Sequence, residues 1–141
     1  MKQPLKKKTV KVLCVDDNEM VGESVHAMLE EEGGFEWAGQ LYDANELVEV
    51  AEKEQPDIIL LDIDMPGKDA FQALDELSVV CPESRVLMLS VHTNSDFVNR
   101  AFEVGAWGYL SKSGGARAIV DGVRQVMRGE VVRGPDVEWL Y

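Results

Sequence analysis

The chain has 141 residues, 45% of them hydrophobic and 28% charged, enough to bury one core and in the balance of a globular protein rather than a disordered one. A net charge of −12 argues against a self-sufficient grip on a polyanion, because nucleic-acid binders concentrate basic surface to displace counterions. No uninterrupted apolar run reaches the length needed to cross a bilayer, and Cys14 and Cys81 have neither metal-ligand nor redox spacing.

The first stretch, MKQPLKKKTV, is basic but passes straight into a strand-like run, without the apolar segment and cleavage site of a secretory signal. Residues 1–8 are therefore read as a tail, with Lys6, Lys7 and Lys8 a solvated cluster, and a cytoplasmic location is expected. Short apolar runs then alternate with longer segments of helical period, the pattern of consecutive β-α units around a parallel sheet. Val10 to Val15, Asp57 to Leu61 and Arg85 to Ser90 are nearly all aliphatic, as strands covered on both faces must be. Shorter, more mixed runs near Glu36 to Gln40 and Trp107 to Leu110 suit the sheet edges.

Between these runs lie five helical stripes. Val21, Val25, Met28 and Leu29 form the first; Ala44, Leu47, Val48 and Ala51 the second; Ala70, Ala73, Leu74 and Leu77 the third. Val98, Ala101 and Phe102 form the fourth, and Ile119, Val123, Val126 and Met127 the fifth. Gly33-Gly34 and Gly129 sit where helix C-caps belong, Asp69 with Gln72 offers a capping box, and Asn94 can cap the fourth helix. Right-handed crossovers then predict a doubly wound sheet of five strands, commonly ordered 2-1-3-4-5, with ligands bound outside the carboxyl ends of the first and third strands.

Reading only those carboxyl ends gives Asp16 and Asp17, then Asp62, Ser90 and Lys112. Parallel strands end on one side, so the five should converge on one cleft. Clustered carboxylates repel unless something cationic neutralises them, and hard oxygen donors in a partly open site suit magnesium. Lys112 would add a second positive charge and Ser90 a hydroxyl donor around a phosphoryl group on Asp62. Each residue also has a plain structural reading: Asp16, Asp17 or Asn18 as a helix cap, Ser90 as a turn former, Lys112 as surface charge. Asp62 is the hardest to dismiss, since it ends the run Ile58-Ile59-Leu60-Leu61, where an unpartnered carboxylate is costly.

These residues stand in VLCVDDNEM, IILLDIDMPG, VLMLS and GAWGYLSK, and with them the chain resembles the receiver domains of two-component response regulators, from about Thr9 to Gly129. The resemblance implies a flavodoxin-like fold with five helices, so the strand order is not independent of it. It also implies that Asp62 is the phosphoacceptor, that Asp17 and Asp62 ligate the metal directly, that Asp16 acts chiefly through water, and that Asp64 contributes its backbone carbonyl. The phosphoryl donor would be a phosphohistidine on a sensor histidine kinase or phosphotransfer protein. Ser90 and Tyr109 would form a switch pair acting on the face made by the fourth helix, fifth strand and fifth helix, with Tyr109 turning inward. Trp107 is read as lying on the same strand face as Tyr109. Such a domain is not an enzyme in the usual sense, catalysing only its own phosphorylation and dephosphorylation.

Two departures stand out. Ser113 follows Lys112 where many receivers have a cis proline, and His92 and Asp64 occupy positions at which the family tunes access of attacking water. Rival readings are a haloacid-dehalogenase-type phosphohydrolase, whose motif order this chain does not follow, and a degenerate receiver serving only as a binding module. The resemblance is strongest to receivers that precede a helix-turn-helix domain, and residues 130–141, with Pro135 and Asp136, read as a linker or the start of a linker helix. Control of transcription, or of a protein partner by a stand-alone receiver, is expected, with phosphorylation-dependent homodimerisation implied by the family resemblance and no DNA contact or membrane contact expected by this chain itself.

Overall fold

The structure is a computed structural model that describes residues 9–134 and residue 137. Its central strands follow from the aliphatic runs: β1 (Val10–Val15), β3 (Ile58–Asp62) and β4 (Arg85–Ser90) are covered on both faces. Ile58, Ile59, Leu60 and Leu61 are wholly buried, each contributing about 1.5–3 kcal/mol relative to exposure. Strand β2 (Phe35–Leu41) is only partly covered, as suits an edge, and β5 (Gly108–Ser111) follows β4.

The helices are α1 (Glu19–Glu32), α2 (Leu47–Glu54), α3 (Ala70–Val80), α4 (Ser95–Val104) and α5 (Gly115–Met127). Side chains in the predicted capping positions start three of them: Asn18 accepts from the Met20 N–H at 3.0 Å, Asp69 from Phe71 at 3.2 Å and Asn94 from Phe97 at 3.3 Å. Gly33, with φ of 76°, closes α1. Ala44, read with the second stripe, lies in the loop before α2 and is nonetheless buried.

The sheet is parallel and ordered β2-β1-β3-β4-β5-β6, so the expected five-strand order is extended by a sixth strand. Strand β6 is two residues, Val132–Arg133, within the segment read as linker. It pairs Gly108 with Val132 and Tyr109 with Arg133, and the N–H groups of Val132 and Gly134 donate to the carbonyls of Trp107 and Tyr109, each at 3.0 Å. The strand satisfies backbone groups that β5 would otherwise present as an open edge. Pro135 and Asp136, the expected helix start, lie outside the described residues.

One core packs beneath α2, α3 and α4 and includes Tyr109; the other packs beneath α1 and α5. Trp107 belongs with the second, its ring under the Arg85 guanidinium at 4.1 Å, and so does not share a face with Tyr109 as the sequence spacing suggested. The reason is that β5 begins at Gly108, so strand alternation does not extend back to Trp107. Among the described residues no helix is long and apolar enough to cross a membrane.

Candidate functional site

The ends of β1 and β3 are adjacent strands in the sheet, with Val15 paired to Leu61, so the residues that follow them meet. Asp16, Asp17 and Asp62 offer carboxylate oxygens that all lie within 4.8 Å of one another. Asp16 and Asp62 are buried, whereas Asp17 is exposed at the rim. Lys112, the first residue after β5, reaches across to place Nζ 2.8 Å from Asp16 Oδ2 and 3.0 Å from Asp62 Oδ2.

No cis peptide bond occurs among the described residues, so Lys112 joins Ser113 in the trans form. A single 3-10 turn, Lys112–Gly114, directs the chain out of β5, with Ser111 Oγ accepting from the Ser113 N–H at 3.2 Å. The lysine therefore reaches the carboxylates without the proline that many receivers carry.

The two oxygens of each buried acid have different surroundings. Asp16 Oδ1 accepts from the Asn18 N–H at 2.8 Å, and Asp62 Oδ1 from the Asp64 N–H at 3.1 Å. Among the described residues, only the Lys112 ammonium faces Asp16 Oδ2 and Asp62 Oδ2. Burial pushes the Asp62 carboxyl up to about 6, opposed by the Asp64 N–H and Lys112 and reinforced by neighbouring Asp16. Burial also works against the charged form of Lys112, but its bonds to Asp16 and Asp62 outweigh that and raise its affinity for a proton. One ammonium thus compensates two buried carboxylates and leaves a third beside them. Hard oxygens in excess of cationic charge are the donor set of a divalent cation, and these residues fit one.

A second network adjoins the first. The Asp64 side chain places Oδ1 2.8 Å from His92 Nε2 and Oδ2 3.4 Å from Ser90 Oγ. The His92 N–H donates to Ser90 Oγ at 2.8 Å, and its ring stacks on Phe97 of α4 with centroids 4.6 Å apart. Tyr109 is wholly buried, its ring inward, and its hydroxyl donates to the His92 carbonyl at 2.5 Å. Ser90, His92 and Tyr109 therefore tie the end of β4, the start of α4 and β5 together. Cys14, buried below the acids, has its thiol pushed up to about 12, burial leading and Asp16 adding to it, so it stays protonated.

Two side chains that the sequence reading did not single out hold the loops of the site. Gln40 of β2 donates to the carbonyls of Asp16 and Asn18, and Asn45 accepts from the Lys68 N–H at 2.9 Å in the loop after β3. Amides on a mixed edge strand and its following loop carry no periodic or motif signal, and only the tertiary arrangement reveals them.

Residues 12–124 match the family model described as the response regulator receiver domain. The chain is 32% identical over 137 residues to the transcriptional regulatory protein DegU of Brevibacillus brevis, an alignment covering 97% of this chain and 58% of that protein. It is 35% identical over 129 residues to the response regulator protein VraR of Staphylococcus aureus, covering 92% of this chain and 62% of the relative. The chain thus spans about three fifths of the length of these curated relatives. Among solved structures, a LuxR-family two-component response regulator from Aurantimonas sp. SI85-9A1 superposes with a TM-score of 0.84 at 28% identity, covering 92% of each chain. The signal receiver domain of the putative response regulator NarL from Mycobacterium tuberculosis gives 0.81 at 30% identity, covering 88% of this chain and 100% of that one.

Proposed function

The chain belongs to the response regulator receiver family, and on that premise we propose that it is switched by transfer of a phosphoryl group to Asp62 from a phosphohistidine on a sensor histidine kinase or phosphotransfer protein. The observation that carries this reading is the position of Asp62: buried at the end of β3, its Oδ2 is 3.0 Å from the Lys112 ammonium and its carboxylate clusters with Asp16 and Asp17.

A carboxyl pushed up to about 6 is mostly ionised at neutral pH, so Asp62 is available as a nucleophile. An Asp62 oxygen attacks phosphorus in line, the bond to the donor imidazole nitrogen breaks, and that nitrogen keeps the electron pair. Lys112 stabilises charge on the transferring oxygens, and Ser90 offers its hydroxyl to one of them. Asp16, Asp17, Asp62 and the backbone carbonyl of Asp64 would hold magnesium, Asp16 chiefly through water. Bound magnesium supplies electrophilic neutralisation of the phosphoryl charge. The chain promotes only its own phosphorylation and the hydrolysis that resets it, with Asp64 and His92 beside the path of attacking water.

Recruitment of Ser90 Oγ to the phosphoryl group draws on the same hydroxyl that accepts from His92, whose carbonyl holds Tyr109. The switch pair Ser90 and Tyr109 thereby biases the face formed by α4, β5 and α5. The names of the relatives support control of transcription as the output, through phosphorylation-dependent self-association or a tethered DNA-binding unit outside these residues. Incubation with acetyl phosphate and magnesium, followed by mass spectrometry, tests the reading. One acyl phosphate should appear on Asp62 and none on Asp62→Asn. Steady turnover without a labelled species would instead indicate a hydrolase, and absence of labelling a binding module.

A further inference from the structure

We infer that Gln40, on the edge strand β2, is the positioning residue for Asp17 in the divalent-cation site, an inference that rests on the metal-binding reading above. Its carboxamide nitrogen donates to the carbonyl of Asp16 at 2.9 Å and to that of Asn18 at 3.1 Å. Those two carbonyls flank Asp17, the one exposed member of the acidic cluster. One NH2 group thus uses both of its protons to hold the backbone at two points, the carbonyls of the residues before and after Asp17.

A backbone irregularity aims Gln40 there. The pairing of β1 with β2 runs Val12 to Trp37 and then Leu13 to Gly39, leaving Ala38 as an extra residue, and Gly39 adopts φ of 120°, which a side chain disfavours. Phe35 and Trp37 pack on the α1 and α5 side of the sheet, Ala38 and Leu41 on the other. Strict alternation from Trp37 would bring Leu41 to the α1 side; the inserted residue brings Gln40 instead.

The slot that receives the carboxamide is made by Gly22 of α1. A Cβ built on Gly22 would lie 1.7 Å from Gln40 Oε1 and 2.3 Å from its Cδ. A glycine in the second turn of a helix costs stability relative to alanine, yet here the missing Cβ admits the side chain that spans the acidic loop. Bulge, glutamine and helical glycine together form one device, which sets where Asp17 stands relative to Asp16 and Asp62.

The inference is tested by titrating magnesium into the full 141-residue chain, in its Gln40→Ala, Gly22→Ala and doubly substituted forms, by isothermal titration calorimetry, with urea unfolding recorded for each. Gln40→Ala should bind magnesium roughly tenfold more weakly, through loss of two hydrogen bonds to the loop. Gly22→Ala should weaken binding similarly by expelling the carboxamide, and the double form should be no weaker than Gln40→Ala alone, because the space is then free. A role confined to stability would shift the unfolding midpoints and leave the magnesium affinity of the folded protein unchanged. That result, or additive losses in the double form, would overturn the inference while leaving the phosphoacceptor reading intact. Failure of the unsubstituted chain to bind magnesium would overturn both.

Discussion

Replacing Asp62 by asparagine in the metal-free protein should stabilise the fold at neutral pH and do so less and less as the solution is acidified. The folded-state carboxyl, pushed up to about 6 chiefly by burial, stands roughly two units above the usual aspartate range. A raised value means that the folded protein holds its proton more tightly than the unfolded chain. The contribution of Asp62 to stability is therefore fully present below about pH 4 and is lost as pH rises through about 6. At pH 7.5 the ionised group destabilises the fold by an upper limit of about 3 kcal/mol, at 1.36 kcal/mol for each unit. Asparagine keeps an acceptor for the Asp64 N–H, and the attraction to Lys112, which retains Asp16, is already contained in that shift, so a net gain of up to about 3 kcal/mol is expected. Urea unfolding in EDTA, followed by tryptophan fluorescence from pH 4.5 to pH 8, measures the difference, with the other titrating groups cancelling between the two proteins. Equal stability at pH 7.5, or a gain that persists undiminished at pH 4.5, would refute the reasoning, because Asp62 would then have no burial penalty to relieve.

Lys112→Met leaves Asp16 and Asp62 together without a cation, so in EDTA it should lower stability by about 3 kcal/mol, and magnesium should restore part of the loss, read as a shift in thermal midpoint. Tyr109→Phe removes the hydroxyl that donates to the His92 carbonyl while keeping the buried ring, and should cost about 1 kcal/mol in urea unfolding. Gly108→Ala would place a Cβ 2.3 Å from Leu87 Cδ1 and 3.2 Å from Val132 Cβ, so a loss of about 1–3 kcal/mol is expected, together with faster hydrogen exchange at the Val132 and Gly134 amides.

The strands buried on both faces were legible because burial dictates their composition: Val10 to Val15 and Ile58 to Leu61 are short, nearly continuous aliphatic runs, as a parallel strand covered on both sides requires. The meeting of Asp16, Asp62 and Lys112 was legible for a geometric reason, since Asp62 ends a strand and Asp16 and Lys112 follow strands of the same parallel sheet. Strand β6 was not, because two residues carry no periodicity and Val132–Arg133 exists as a strand only through pairing with β5. The faces of Trp107 and Gln40 were hidden for a related reason. Side-chain direction counted by twos holds inside regular strand, and Trp107 lies before β5 begins while Gln40 lies beyond the bulge.

Strand β6 also has a mechanical consequence. The peptide units on both sides of Tyr109 are bonded either to β4 or to the stretch ending at Gly134, and Arg133 lays its guanidinium 4.3 Å above the Phe102 ring of α4. Traction on Gly134 itself is thus borne by the very backbone that carries the buried tyrosine. Conversely, any displacement of that backbone passes straight to Val132 and Arg133, because the two strands share their hydrogen bonds.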